Sequence, residues 1–178
     1  MLERRRARHQ ALHILYQHEI TGDPLAEILS EGSWDVRPLD IEDGDESFTV
    51  GEPPAFMFAL LEGVDANGPE IDATIERLSE HWVLSRMPLV DRNILRIAVY
   101  EMLHEPDIPA SVTINEAVEM AKVYAGEDSS KFVNGILGKL ADETGVDDVL
   151  ILSDEIAAAE ADDEPYPTAA GTVEGDEA

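Results

Sequence analysis

Apolar positions along the chain recur at three- and four-residue intervals, the period of helices packed on one side. The stretch Arg86–Leu103 goes further. From Pro88 onward, Leu89, Val90, Ile94, Leu95, Ile97, Ala98, Val99, Tyr100, Met102 and Leu103 cover nearly the whole circumference. A helix apolar almost all round has to be wrapped by other elements. With Asp91, Arg92, Arg96 and Glu101 among its residues, and at about 15 residues, it is too short and too charged to span a bilayer. Pro88 suits the first turn, where a missing N–H is no loss. The stretch reads as the central strut of a helical domain.

Six further segments show helical patterning. Leu2–Ile20 carries an apolar stripe of Ala7, Ala11, Leu12, Ile14, Leu15 and Tyr16. Gly22 and Pro24 stop it and restart a short turn, Pro24–Ser30, built on Leu25, Ile28 and Leu29. A third helix is expected over Pro54–Val64. After the break at Asn67-Gly68-Pro69 a fourth follows, with Ile71, Ile75, Leu78 and Trp82 in register. Glu105–Pro109 forces an extended connector, because residues before proline avoid the helical region. Thr113-Ile-Asn-Glu116 fits a capping box, opening a helix that ends near Tyr124. Asp128-Ser129 then caps a last core helix with Phe132, Val133, Ile136, Leu137 and Leu140 inward. Gly135 and Gly138, expensive inside a helix, point to a place where another helix packs very close. No alternating strand pattern appears, so the expected class is all-α, a seven-helix domain over 1–145. Val146–Ile156 allows one more weak helix. Ala157–Ala178 has almost nothing to bury and is expected to be disordered.

Charge changes this picture by its distribution. The net charge is −27 in 178 residues. Much of it falls in two places, an acidic loop insertion at 31–53 and an acidic tail at 146–178, while the helical body is only mildly acidic. Such a surface is strongly solvated, and with three lysines in the chain it would suit high salt. Trp34 and Phe48 are the residues able to pin the loop to the body. Asp43 and Asp45 lack the twelve-residue ligand pattern of a calcium loop. There is no cysteine, hence no disulfide framework or thiolate metal site. No secretory signal follows the basic start, and a cytoplasmic location is the expectation.

Against this acidic background Arg4, Arg5, Arg6 and Arg8 form the densest positive cluster. Two readings fit it: a ragged solvated terminus, or an arm that tracks phosphates. Arginine supplies a planar fork for phosphate and can stack on bases, and each phosphate contact releases counterions. His9 and His13, four residues apart, could clasp a metal, but no third ligand is evident and ordinary polar-face histidines are the plainer reading. No Gly-rich phosphate loop, His-Glu-x-x-His or Gly-x-Ser-x-Gly occurs. A binding role without catalysis, metal or cofactor is therefore expected.

The blocks Arg-Arg-Arg-Ala-Arg with Ala-Leu-x-Ile-Leu-Tyr-Gln, Val-Asp-Arg-Asn-Ile-Leu-Arg-Ile-Ala-Val-Tyr-Glu-Met-Leu, Ile-Asn-Glu-Ala-Val-Glu-Met-Ala-Lys and Glu-Asp-Ser-Ser-Lys-Phe-Val-Asn-Gly-Ile-Leu resemble the NusB family of transcription antitermination factors. They cover residues 4–140 in the family's order. The resemblance implies two packed three-helix bundles. It also implies binding to boxA RNA of ribosomal RNA leaders together with the small-subunit ribosomal protein NusE, within an RNA polymerase antitermination complex. Arg4, Arg5, Arg6 and Arg8 match the family's arginine-rich RNA-binding motif. Asp128, Ser129, Lys131 and Phe132 match its second RNA-contacting block, where a helix N-terminus attracts phosphate and an aromatic can stack an unpaired base. On its apolar register, Phe132 also reads as a plain core residue. Tyr16 and Asp91 match positions near the NusE contact. The alternatives are a protein-binding scaffold, in which a homodimer could hide the arginine helix, and the RNA-binding module type fused to ribosomal RNA methyltransferases. The absence of a cofactor-binding domain in this sequence speaks against a complete enzyme.

Overall fold

The computed structural model describes residues 2–30, 53–80 and 82–145, and among them seven α-helices, one 3-10 turn and no strand occur. Helix α5 (Leu89–His104) stands in the middle. Packed against it are α1 (Leu2–Thr21), α3 (Ala55–Ala66), α4 (Gly68–Leu78), α6 (Ala110–Tyr124) and α7 (Glu127–Thr144). The short α2 (Leu25–Ser30) packs on α1. Helices α1, α2 and α3 form one group and α5, α6 and α7 the other, with α4 joining them. This is the expected all-α architecture. Among the described residues no helix is long and apolar enough to cross a membrane.

The all-round apolar surface of α5 explains its place. Ile94, Leu95, Ile97, Ala98 and Val99 are all buried, facing Ile14 of α1, Met57 and Leu60 of α3, Ile71 and Ile75 of α4 and Leu137 of α7 in one continuous core. Truncating any such leucine or isoleucine to alanine typically costs about 2–5 kcal/mol. Among the polar residues of α5, Asp91, Asn93 and Glu101 are buried and Arg92 and Arg96 half-buried, and charges so placed have to be matched. Glu101 meets Arg8 near the start of α1, while Arg92 and Arg96 meet Glu19 near its end. These pairs run α1 antiparallel to α5. Asp72 of α4 joins the second cluster, 2.7 Å from Arg96 Nε.

Several local expectations are corrected. Helix α4 stops at Leu78, and Trp82 is not on its inner stripe but 52% exposed outside the helix. The Ser79 side chain ends the helix by donating to the backbone oxygen of Trp82 at 3.0 Å, an alternative to continuing the helical ladder. Thr113 is not a cap. Helix α6 begins at Ala110 after Pro109, so Thr113 lies inside it, buried, donating to the Glu101 carboxylate. Asp128 and Ser129 do not cap α7 either; they occupy its first turn, behind Gly126. Gly126, at φ 95°, takes the left-handed backbone that turns α6 into α7, a conformation strained for other residues. Gly135 and Gly138 face open space rather than a close helix. The close approach lies at Gly63 of α3, where an added Cβ would collide with the Tyr100 ring of α5.

His9 and His13 are not on a polar face. His9 is buried with Nδ1 2.9 Å from the Tyr124 hydroxyl, and the His13 ring meets the edge of the same tyrosine at 5.5 Å. Burial pushes the His13 imidazole below its ordinary pKa. The acidic segment from 31 to 52, with Trp34 and Phe48, and the tail from 146 lie outside the described residues.

Candidate nucleic-acid interface

The four clustered arginines do not share one environment. Arg4 is exposed, with its guanidinium 5.3 Å from the centre of the Phe56 ring of α3. Arg5 and Arg6 are half-buried. Arg8, one turn after Arg4, is 4% exposed and stands 5.5 Å from the same ring centre. Its Nε donates to Glu101 Oε2 at 2.8 Å and its terminal nitrogen to Oε1 at 2.7 Å. The other terminal nitrogen lies 3.6 Å from Glu116 Oε2 on α6. This bidentate fork is the strong form of the arginine–carboxylate pair. Arg8 thus departs from the picture of an exposed arm: Arg4 is exposed, Arg5 and Arg6 are half-buried, and Arg8 anchors the helix that carries them. The signal for this lay in Glu101, a carboxylate in an apolar helix, which needs a buried cation.

The second block sits at the start of α7. Asp128 and Lys131 are exposed on its first turns. Ser129 is half-buried and its hydroxyl donates to Asp91 Oδ2 at 3.1 Å. Asp91 is itself buried, not on the surface, and its Oδ1 has no hydrogen-bond partner among the described residues. Burial pushes the Asp91 carboxyl above its ordinary pKa, opposed by the hydrogen bond from Ser129. Phe132 is half-buried, and its ring lies 5.9 Å from that of Trp82, tilted by 56°. Sequence reasoning placed Trp82 in the core because it falls in register with Leu78; nothing in the apolar pattern marks the helix end between them.

The two blocks are not brought together. One docks on α5 through Arg8 at Glu101 and the other through Ser129 at Asp91, positions roughly 15 Å apart along a helix axis. On α1, Tyr16 (41% exposed) and Ile20 (59% exposed) lie one turn apart and make a small apolar strip. Among the described residues no group of three or more His, Asp or Glu could hold a metal ion.

Residues 5–142 match the model of the NusB family. The chain belongs to the NusB family. A NusB transcription antitermination protein of Myxococcus xanthus is 44% identical over 140 residues, covering 78% of this chain and 94% of that protein. One of Heliobacterium modesticaldum is 45% identical over 143 residues, 80% of this chain but 64% of its own length. Among solved structures, T. maritima NusB superposes with a TM-score of 0.65 at 41% identity, covering 79% of this chain and 91% of that one. A complex of the antitermination factors NusB and NusE with double-stranded RNA contains a chain with a TM-score of 0.64 at 25% identity, covering 80% of this chain and 98% of that one. The NusB match runs from Arg5 in α1 to Asp142 in α7, so it takes in the second block and all of the first except Arg4.

Proposed function

We propose that this chain is an RNA-binding transcription antitermination factor. It holds boxA RNA of ribosomal RNA leader transcripts together with the ribosomal protein NusE and promotes read-through by RNA polymerase. The observation that carries this reading is the family match over residues 5–142. A relative solved with NusE and RNA in one complex supports the choice of partners.

In this reading the role is recognition in the cytoplasm, without cofactor or catalysis. Residues 1–145 are the binding unit and 146–178 an acidic extension. Arg4, Arg5 and Arg6 contact phosphates, while Arg8 holds α1 in place. Asp128, Ser129, Lys131 and Phe132 form the second RNA contact. Tyr16, with Ile20 beside it, faces NusE, and Asp91 acts from beneath through Ser129.

The test is binding of boxA RNA by the full chain, alone and with purified NusE, against a scrambled RNA. Tighter, sequence-selective binding in the presence of NusE is expected. Equal binding to both RNAs under both conditions would refute the boxA assignment.

A further inference from the structure

Most cations of the described fold are neutralised internally. Arg8 is paired with Glu101, Arg77 with Glu143, Arg92 and Arg96 with Glu19, Lys122 with Glu119 and Lys139 with Glu80. Arg86 and Lys131 are different. Both are exposed, and among the described residues neither side chain has an ion-pair or hydrogen-bond partner. Arg86 follows Trp82 at the end of the 3-10 turn Leu84–Arg86, and Lys131 immediately precedes Phe132. These two cations therefore stand near, in sequence, the two rings that meet at 5.9 Å. Trp82 and its neighbour Val83 are both more than half exposed, so this is a large apolar surface left open to solvent.

The setting holds the indole outward. The Trp82 backbone N–H donates to the Ser79 backbone oxygen at 2.8 Å, and Lys139 Nζ reaches the Leu78 backbone oxygen at 3.2 Å and Glu80 at 3.0 Å. A tryptophan kept out of the core by a tied-down turn, beside a second ring and with two exposed cations near the rings in sequence, matches the recognition of an unpaired nucleotide: a flat apolar face for the base and positive charge for the phosphates. An apolar protein segment would use the rings but has no use for the exposed cations that accompany them in sequence.

We propose that Trp82 and Phe132 together form a stacking platform for one unpaired base of the bound RNA, with Arg86 and Lys131 taking the adjoining phosphates. This rests on the RNA-binding reading above and adds to it two residues, Trp82 and Arg86, from outside the α7 block.

The chain has two tryptophans, so Trp34→Phe leaves Trp82 as the sole indole reporter. In that background, titration with single-stranded boxA RNA in the presence of NusE is expected to quench the emission. Trp82→Ala is expected to weaken RNA binding by roughly one order of magnitude or more, and Trp82→Phe to retain most of it. Because the side chain is more than half exposed, denaturant unfolding of Trp82→Ala should match that of the parent. Arg86→Gln is expected to lower the salt dependence of binding without changing the quench. Wild-type affinity in Trp82→Ala, or lost affinity with no quench in the reporter, overturns the platform. So does a Trp82→Ala variant that binds NusE more weakly in the absence of RNA, which would make the rings a protein contact. If the unmutated chain binds no RNA with NusE present, the RNA-binding reading itself fails, a result distinct from all of these.

Discussion

Arg8 and Glu101 form a bidentate ion pair sealed inside the fold, with Thr113 donating a further hydrogen bond to the same carboxylate. Removing one partner strands the other charge in the core. Glu101→Ala is expected to destabilise the chain by roughly 3–5 kcal/mol, whereas replacing the group by Arg8→Met, Glu101→Leu and Thr113→Val together should be far less damaging. Urea unfolding of the two variants measures this. A mild Glu101→Ala would mean the pair is open to water.

The same pair separates anchoring from RNA contact. Arg4→Gln, Arg5→Gln and Arg6→Gln should each flatten the logarithmic salt dependence of single-stranded RNA binding by roughly 0.7 per lost phosphate contact. The apolar replacement of Arg8 and Glu101 should leave that slope unchanged. A drop of similar size on replacing Arg8 would show that it leaves Glu101 for the RNA.

Asp91 makes stability depend on pH. Its folded pKa is raised by burial from an ordinary 3.8, so the folded state holds its proton more tightly than the unfolded state. The sign follows: the contribution of Asp91 is most favourable below about 3.8 and is lost as pH rises through its folded pKa. Asp91→Asn keeps an acceptor for Ser129 and removes the buried charge. Its melting temperature relative to wild type is expected to rise between pH 4 and pH 7. A relative fall over that range would show that the charged form is the one the fold requires.

Gly63→Ala should destabilise the fold, because the new methyl would overlap the Tyr100 ring. Overpacking of this kind costs typically about 1–3 kcal/mol. Tyr100 is only half-buried and stacks on His104 at 5.1 Å, so Tyr100→Ala combined with Gly63→Ala should recover part of the loss. A double-mutant cycle reads that coupling, and strict additivity would place the strain elsewhere.

What the sequence made legible was periodic. Helix α5 and the stripes of α1 and α7 stand where spacing put them, apart from Tyr16, which is exposed, and Phe132, which is half-buried, because burial of a helical face leaves a regular trace. Misreadings came where tertiary contacts replaced local rules. Thr113-Ile-Asn-Glu116 has the letters of a capping box, yet Thr113 serves a carboxylate on another helix and Pro109 marks the true start. Arg8 looks like its three neighbours in sequence and differs only because Glu101, 93 positions away, needs it. Gly63 carries no local sign of the ring above it, while Gly135 and Gly138, conspicuous by spacing, touch nothing. The second block was found as a string of residues; its partner Trp82 was hidden by falling in register with a helix that had already ended.

The separation of the two blocks along α5 also works as a ruler. A ligand that engages both the arginine end and the turn at Ser129 has to be extended over roughly 15 Å at least. A shorter oligonucleotide can reach one end only. Once the chain of nucleotides is long enough, the second contact becomes intramolecular and gains the effective concentration of a tether. Affinity plotted against RNA length would then climb in a step instead of a slope, and the length at the step would gauge the distance between Glu101 and Asp91 from the ligand's side.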